Sequence, residues 1–225
     1  MDKSKRLFLQ GAGAILAGIS LYQTRLATAR EPQASKVKYA LLHDETLCIG
    51  CDACTLACRE ANQVPADVTR LTMVRSGPFG EYPNRRYHFS RQSCQQCENA
   101  PCVTVCPTGA AYIDAQTGIV KVDDWKCVGC QYCIAACPYK VRFIHPVTRA
   151  ADKCDFCADS RLQHGQQPAC VSACPTKALI FGDISNQLAP ITRLIKHNAV
   201  DRDKVSLGTR PKLFKIRAPS GEVIL

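Results

Sequence analysis

Cysteine constrains this chain more than any other residue, because all sixteen cysteines fall into four groups of four. The first to fourth groups are Cys48, Cys51, Cys54, Cys58; Cys94, Cys97, Cys102, Cys106; Cys127, Cys130, Cys133, Cys137; and Cys154, Cys157, Cys170, Cys174. The first and third have the form CxxCxxCxxxC, which places three thiolates on one iron-sulfur cube and sends the fourth to a neighbouring cube. We therefore predict four [4Fe-4S] clusters, with all sixteen cysteines as iron ligands.

Disulfides and structural zinc are alternative uses of so many cysteines. A disulfide framework does not need four repeats of one ligand spacing, and zinc sites usually pair two CxxC units without the third cysteine and the CxxxCP ending. A catalytic iron-sulfur enzyme would need a missing cysteine that leaves one iron open, and none is missing. A purely structural metal module would show no redox activity.

The N-terminal segment resembles an export signal. Residues 1–29 combine a basic start, an apolar stretch from Leu7 to Tyr22, and a small-residue cleavage site that ends at Ala29. The sequence SKRLFLQ at residues 4–10 resembles the twin-arginine signal SRRxFLK, with Lys5 in place of the first arginine. That pathway carries folded, cofactor-loaded proteins, so we predict a periplasmic protein exported by the twin-arginine route. An uncleaved membrane anchor is the alternative.

The net charge of +10 by itself would suggest a protein that binds nucleic acid. That interpretation changes once the charges of the signal and of the clusters are included. Residues 1–29 contribute +3, which leaves +7. Each oxidised cluster with its four thiolates carries about −2, so four clusters contribute roughly −8. The holoprotein is then near neutral, and we predict no nucleic-acid partner. The basic residues beside the cysteine groups are predicted to be countercharges for the clusters: Arg59, Lys126, Lys140, Arg142, Lys153 and Lys177.

Motifs for other chemistry are missing from the sequence. No CxxC is followed by histidine, which argues against covalent haem, and no glycine-rich nucleotide loop follows a strand pattern. The five histidines form no triad or ligand spacing and are predicted to be structural: His43, His88, His145, His164 and His197. We therefore predict no catalytic residues, no small-molecule substrate, and a protein that is not itself an enzyme.

The segment between Cys106 and Cys127 predicts a hairpin, with strands at Ala111–Asp114 and Ile119–Val122. It resembles the hairpin that joins the two halves of a bacterial two-cluster ferredoxin, so the second and third groups are predicted to form an inner module. PTKALIFGDI after Cys174 nearly repeats PTGAAYIDA after Cys106, which indicates a duplicated unit. The first and fourth groups are then predicted to form an outer module around the inner one.

The predicted fold class is α+β, with two nested bacterial-ferredoxin-like modules, an inserted hairpin and a C-terminal extension. The predicted segments are 1–29, the signal; 30–93, the first half of the outer module with a hairpin over Leu71–Phe89; 94–150, the inner module; 151–182, the second half of the outer module; and 183–225, the extension. Within the extension we predict a helix near Ile191–Lys196 and a strand pair around Ser220 and Gly221.

In each module the fourth cysteine of one group is predicted to serve the partner group, because a loop that closes around three irons cannot also reach the fourth. The predicted inner sets are Cys94, Cys97, Cys102 with Cys137, and Cys127, Cys130, Cys133 with Cys106. The predicted outer sets are Cys48, Cys51, Cys54 with Cys174, and Cys154, Cys157, Cys170 with Cys58.

From HDETLCIGCDAC through CVGCQYCIAACPY to PACVSACPTKAL, the chain resembles the four-cluster electron-transfer subunits of anaerobic respiratory quinol oxidoreductases. It is most similar to the iron-sulfur protein of the formate-dependent nitrite reductase system. The resemblance implies an integral-membrane quinol dehydrogenase subunit as one partner, through which the protein attaches peripherally to the membrane. A multihaem cytochrome or molybdenum reductase is implied as the other. The equivalent subunit of a polysulfide, thiosulfate, tetrathionate, sulfite or dimethyl sulfoxide reductase is the alternative.

Replacing both Lys5 and Arg6 with Gln tests the export signal. We expect cluster-loaded protein to accumulate in the cytoplasm, because the basic pair that the twin-arginine route reads is gone. Cell fractionation followed by iron and sulfide assays checks this. Unchanged delivery to the periplasm would reject the twin-arginine assignment.

Overall fold

The computed structural model describes residues 37–218, in which short helices and strands alternate with the cysteine loops. The strands are β1 (Tyr39–Asp44), β2 (Leu71–Phe79), β3 (Arg86–Ser93), β4 (Ala111–Ile113), β5 (Val120–Val122), β6 (Phe143–Ile144), β7 (Ala151–Asp152), β8 (Leu179–Asp183) and β9 (Leu213–Ile216). The helices are α1 (Ala53–Ala61), α2 (Pro101–Thr104), α3 (Tyr132–Ala135), α4 (Ala169–Ser172) and α5 (Pro190–His197). The predicted signal and the predicted strand pair near Ser220 lie outside the described residues.

β1 is the central strand of a three-stranded sheet in the order β8-β1-β9, antiparallel to β8 and parallel to β9. Leu41 packs in a core that also holds cysteines of the first and fourth groups. Ala40 and Leu42 face the other way, because strand side chains alternate, and they pack against Ile191 of α5. Both faces of β1 are therefore covered, which explains why its sequence, YALLHD, is apolar over four consecutive positions.

The helices that follow the cysteine loops pack in two pairs. α1, which carries Cys54 and Cys58, contacts α4, which carries Cys170. α2, with Cys102, contacts α3, with Cys133. Helices this short are marginal in water by themselves, so their packing must hold them. The pairing places the first group beside the fourth and the second beside the third.

The predicted hairpin after Cys106 is confirmed as β4 and β5, which pair from Ala111 with Val122 to Ile113 with Val120. Its turn is closed by Asp114, whose carboxylate accepts the backbone N–H of Thr117 at 2.8 Å. The predicted C-terminal helix is confirmed as α5.

The second hairpin, β2 and β3, extends to Ser93, beyond the predicted end at Phe89. Its base is buried, with Leu71 and Arg91 only 2% and 1% exposed, whereas the residues at its tip are exposed. The hairpin therefore covers the cysteine core with its base.

The residues predicted as a C-terminal extension are part of the packed structure as far as residue 218. β9 completes the central sheet. Just before it, the backbone N–H of Lys212 donates to the carbonyl of Gln95 at 2.8 Å, and the N–H of Asn99 donates to the carbonyl of Thr209 at 3.1 Å. This segment thus holds the loop of the second cysteine group against the sheet.

The first CxxC loop of each cysteine group turns through left-handed backbone at the residue before its second cysteine. The four residues, with φ between +49° and +67°, are Gly50, Gln96, Gly129 and Phe156. This conformation costs a residue with a side chain roughly 1–2 kcal/mol, so other contacts must hold it. The Gln96 amide donates to the carbonyl of Cys154 at 2.6 Å, and Phe156 packs edge-on to Phe181 with ring centroids 5.2 Å apart.

Gly50→Ala is predicted to destabilise the protein more than Gly109→Ala. Both glycines have φ +67°, so both changes carry the left-handed cost of roughly 1–2 kcal/mol. A Cβ at Gly50 would overlap the ring of Phe89, whereas none of the described atoms lies within 4 Å at Gly109. Displacing the ring adds about 1–3 kcal/mol.

The measurement is the apparent Tm of the anaerobic holoprotein, followed through the loss of visible cluster absorbance at one heating rate. We expect a clearly lower Tm for Gly50→Ala than for Gly109→Ala. Equal values would contradict the steric role of Gly50.

Candidate iron-sulfur sites

Two cavities are each lined by four cysteines drawn from two different groups. One contains Cys48, Cys51 and Cys54 together with Cys174. The other contains Cys94, Cys97 and Cys102 together with Cys137. Cys174 and Cys137 are far along the sequence from the other three cysteines of their cavities, and the fold brings them together.

Four of the other cysteines accept N–H donors at their sulfur atoms. Asn62 lies at the end of α1, and its side-chain Nδ2 is 3.3 Å from Cys157 Sγ and 3.8 Å from Cys58 Sγ, so it touches both the fourth and the first group. The backbone N–H of Ala111 donates to Cys106 Sγ, and that of Ala151 to Cys127 Sγ, each at 3.3 Å. Donors to sulfur of this kind raise the potential of a bound cluster.

Burial makes the bare thiolates unfavourable. It raises the pKa of Cys94 to about 11 and that of Cys97 to about 12, and it raises the pKa of Cys58 as well. These side chains are neutral thiols at pH 7 unless a positive charge is bound beside them. Iron supplies that charge, so ligand deprotonation, metal binding and folding are coupled.

Within residues 37–218, His43 has a free N–H that suits a cluster in the cavity of Cys48, Cys51, Cys54 and Cys174. It is fully buried, and burial lowers its pKa to about 3, so the ring is neutral. Its Nδ1 accepts the backbone N–H of Arg91 at 3.4 Å, which places the ring proton on Nε2. Nε2 has no partner among the described residues, and the ring lines the cavity of Cys48 and Cys174. A buried donor without an acceptor is costly, and a cluster sulfur would satisfy it.

Buried cations lie among the cysteines. Arg142 lines the cavity of the second group, and Lys153 is 2% exposed, with its ammonium donating to the carbonyls of Val120 and Cys154. These two of the six predicted countercharges lie close to cysteines, and their role as countercharges stays a prediction. Lys126 differs: it is exposed and pairs with Asp123 at 2.9 Å.

Sequence reasoning missed Arg91, Lys212 and the role of His43. Arg91 is 1% exposed on β3, with Nη2 3.8 Å from Cys154 Sγ. Burial lowers the pKa of Lys212 to about 8, and its ammonium donates to the carbonyl of Gly118. A strand pattern that places arginine three residues before a cysteine is a signal that could have drawn attention to Arg91.

The ligand chemistry agrees with the cysteine spacing. Four cysteine sulfurs meet in each of the two cysteine cavities, and cysteine sets of this kind bind iron-sulfur clusters as thiolates. This is a ferredoxin-type protein that carries four [4Fe-4S] clusters. Two family models, each described as a 4Fe-4S dicluster domain, match residues 47–110 and 85–184. The protein belongs to the NrfC family of iron-sulfur proteins. It is 56% identical to the "Protein NrfC homolog" of Haemophilus influenzae, over 97% of each sequence.

Two other relatives are named after reductases. The protein is 50% identical to a polysulfide reductase subunit of Wolinella succinogenes, over 83% of its own sequence and 97% of that subunit. It is 48% identical to the thiosulfate reductase electron transfer subunit PhsB of Salmonella typhi, over 79% and 92% of the two sequences. The predicted resemblance to a family of respiratory iron-sulfur subunits and the predicted cofactors are thereby confirmed. Between residues 37 and 218, no helix has the length and apolar character needed to span a membrane.

Proposed function

We propose that this protein is a periplasmic electron-transfer subunit with no substrate chemistry of its own. It passes electrons from a membrane quinol-oxidising subunit to a terminal reductase. Each cluster, when bound, takes up and releases one electron. The relatives support this role, since one is named an electron transfer subunit and two are named as parts of reductases.

The observation that carries the proposal is the exposure of cysteine at two places. Of the sixteen cysteines, all within the described residues, only Cys51 in the first group and Cys130 in the third are exposed. An electron carrier between two partners needs two surface ends and a protected middle. The first and third groups supply such ends, and the second and fourth supply the middle.

Exposed apolar side chains lie next to both ends in the sequence. Ile49 and Leu56, close to Cys51, are 61% and 65% exposed. Near Cys130, Tyr132 is 62% exposed and Trp125 is 99% exposed. Aromatic and aliphatic side chains are enriched in partner contacts, so we assign one partner to each end.

The order of sites follows from the contacts between groups. The first and fourth groups share the α1–α4 contact, and the second and third share the α2–α3 contact. Gln96, in the second group's loop, donates to the carbonyl of Cys154 in the fourth. We therefore propose the path first, fourth, second, third, or its reverse, with direction set by the partners.

We further propose the nested ligand sets, with each fourth cysteine serving the partner group. The two cavities that combine Cys174 with the first group and Cys137 with the second support this arrangement. The contacts of Asn62 with Cys58 and Cys157 support the third set. The contact of α2, which ends two residues before Cys106, with α3 of the third group supports the fourth set, in which Cys106 joins the third group.

Two double variants distinguish the nested scheme from local ligation, in which each group of four cysteines binds its own cluster. In the nested scheme Cys106 and Cys127 bind one cluster, so Cys106→Ala with Cys127→Ala is expected to damage one of four. Cys94 and Cys106 bind different clusters, so Cys94→Ala with Cys106→Ala is expected to damage two. Local ligation predicts the reverse. Iron content and spin counting on the reduced, anaerobically purified proteins provide the measurement, and each variant is the control for the other.

The proposed terminal acceptor is nitrite, in a formate-dependent pathway, on the strength of the overall sequence resemblance. The alternative is a reductase of polysulfide, thiosulfate, tetrathionate, sulfite or dimethyl sulfoxide. Identities of 50% and 48% to polysulfide and thiosulfate reductase subunits keep that alternative open.

Deletion of this subunit tests both the role and the acceptor. We expect quinol-driven nitrite reduction to stop, while reduced dyes that donate directly to the terminal enzyme still support full activity, because the catalytic site is on another polypeptide. Loss of dye-driven activity in a normally assembled enzyme would show that this subunit takes part in the chemistry. Nitrite reduction that survives by both routes would reject nitrite and favour a sulfur compound.

A further inference from the structure

Arg91 and Arg142 are buried without a carboxylate partner. They are 1% and 6% exposed, and within residues 37–218 no carboxylate oxygen lies within 4.0 Å of either. Arg70 is the contrast, since its guanidinium pairs with Asp152 at 2.9 Å and Asp155 at 3.1 Å. A buried cation without a counterion is strongly disfavoured, so negative charge must come from another group in the interior.

Arg91 lies between the first and fourth cysteine groups. Its Nε donates to Ser93 Oγ at 2.8 Å, which orients the guanidinium, and its Nη2 is 3.8 Å from Cys154 Sγ. Its Nη1 has no partner among the described residues. Cys54 and Cys58 of the first group are buried in the same core cluster as Cys154 of the fourth. The guanidinium therefore lies close to cysteines of both outer groups.

Arg142 holds the equivalent position between the second and third groups. It lines the cavity of Cys94, Cys97, Cys102 and Cys137, and neither of its Nη atoms has a partner within the described part of the chain. Cys133 of the third group is buried in the same core cluster as Cys97 and Cys102, so the guanidinium lies close to cysteines of both inner groups. Each pair of cysteine groups thus has one buried arginine with free N–H donors.

We propose that Arg91 raises the reduction potentials of the two clusters of the first and fourth groups, and that Arg142 does the same for the second and third. Taking up one electron changes a cluster with its four thiolates from about −2 to about −3. A fixed positive charge nearby stabilises the more negative form more, and the effect is large in the low-dielectric interior. Nested and local ligation give the same two pairs of clusters, and the effect of each arginine does not depend on which partners donate and accept the electrons.

The test is a redox titration of the anaerobically purified full chain, with dithionite as electron donor and the clusters followed by electron paramagnetic resonance. We expect Arg91→Gln to lower two of the four midpoint potentials and Arg142→Gln to lower the other two. Each reduced-to-oxidised ratio at a fixed potential should fall by about tenfold, which is about 59 mV for a one-electron couple. The double variant should lower all four.

Arg193→Gln is the matched control, since Arg193 is exposed on α5 and its loss changes the net charge equally. We expect no shift there. Arg91→Lys and Arg142→Lys keep the positive charge, so we expect their midpoint potentials to stay close to those of the unmodified protein. Unchanged potentials in the Gln variants, or the same clusters shifted by both, would overturn the proposal.

Iron and sulfide assays separate tuning from assembly. If a Gln variant loses clusters and the Lys variant at the same position keeps them, cluster assembly requires the positive charge. If both variants lose clusters, the guanidinium has a structural role. Either result overturns the proposal for that pair of groups.

Discussion

The burial of thiolate charge is the constraint on which this structure depends. Nine of the sixteen cysteines are buried. Burial raises the thiol pKa of six of them, which disfavours their thiolate forms: Cys54, Cys58, Cys94, Cys97, Cys102 and Cys154. Binding iron offsets that cost, and the protein adds fixed positive charge where carboxylates are absent, at Arg91 and Arg142. Because the metal, the thiolates and the surrounding residues stabilise one another, folding and cluster binding form a single equilibrium.

The same constraint shapes the backbone. A CxxC loop must present both sulfurs to one side, and the first such loop of every group does so through a left-handed residue before the second cysteine. Glycine takes this conformation without strain at two loops. In the other two, Gln96 and Phe156 are held there by a hydrogen bond to Cys154 and by aromatic packing. These two side chains also fasten the cysteine loops to the rest of the core.

The central sheet pairs the strand before the first cysteine group with the strand after the fourth. β1 leads into the first group, β8 follows the fourth, and β9 comes from residues that the sequence suggested only as an extension. Short elements of this kind have little stability alone, so the contacts between distant parts of the protein hold the sites. A carrier of electrons benefits from such rigidity, because its sites must keep fixed separations while their charge changes.

Local patterns in the sequence were enough to determine the cofactors, their number, the hairpin of β4 and β5, and helix α5. Each depends on residues close in the sequence: cysteine spacing, alternation of apolar residues, or a short amphipathic run. The tertiary structure decided which distant residues meet. It placed β9 beside β1, and it turned Arg91 and His43 toward buried cysteine sites. The sequence could not determine these because they depend on contacts between segments far apart along the polypeptide, and no local spacing encodes them.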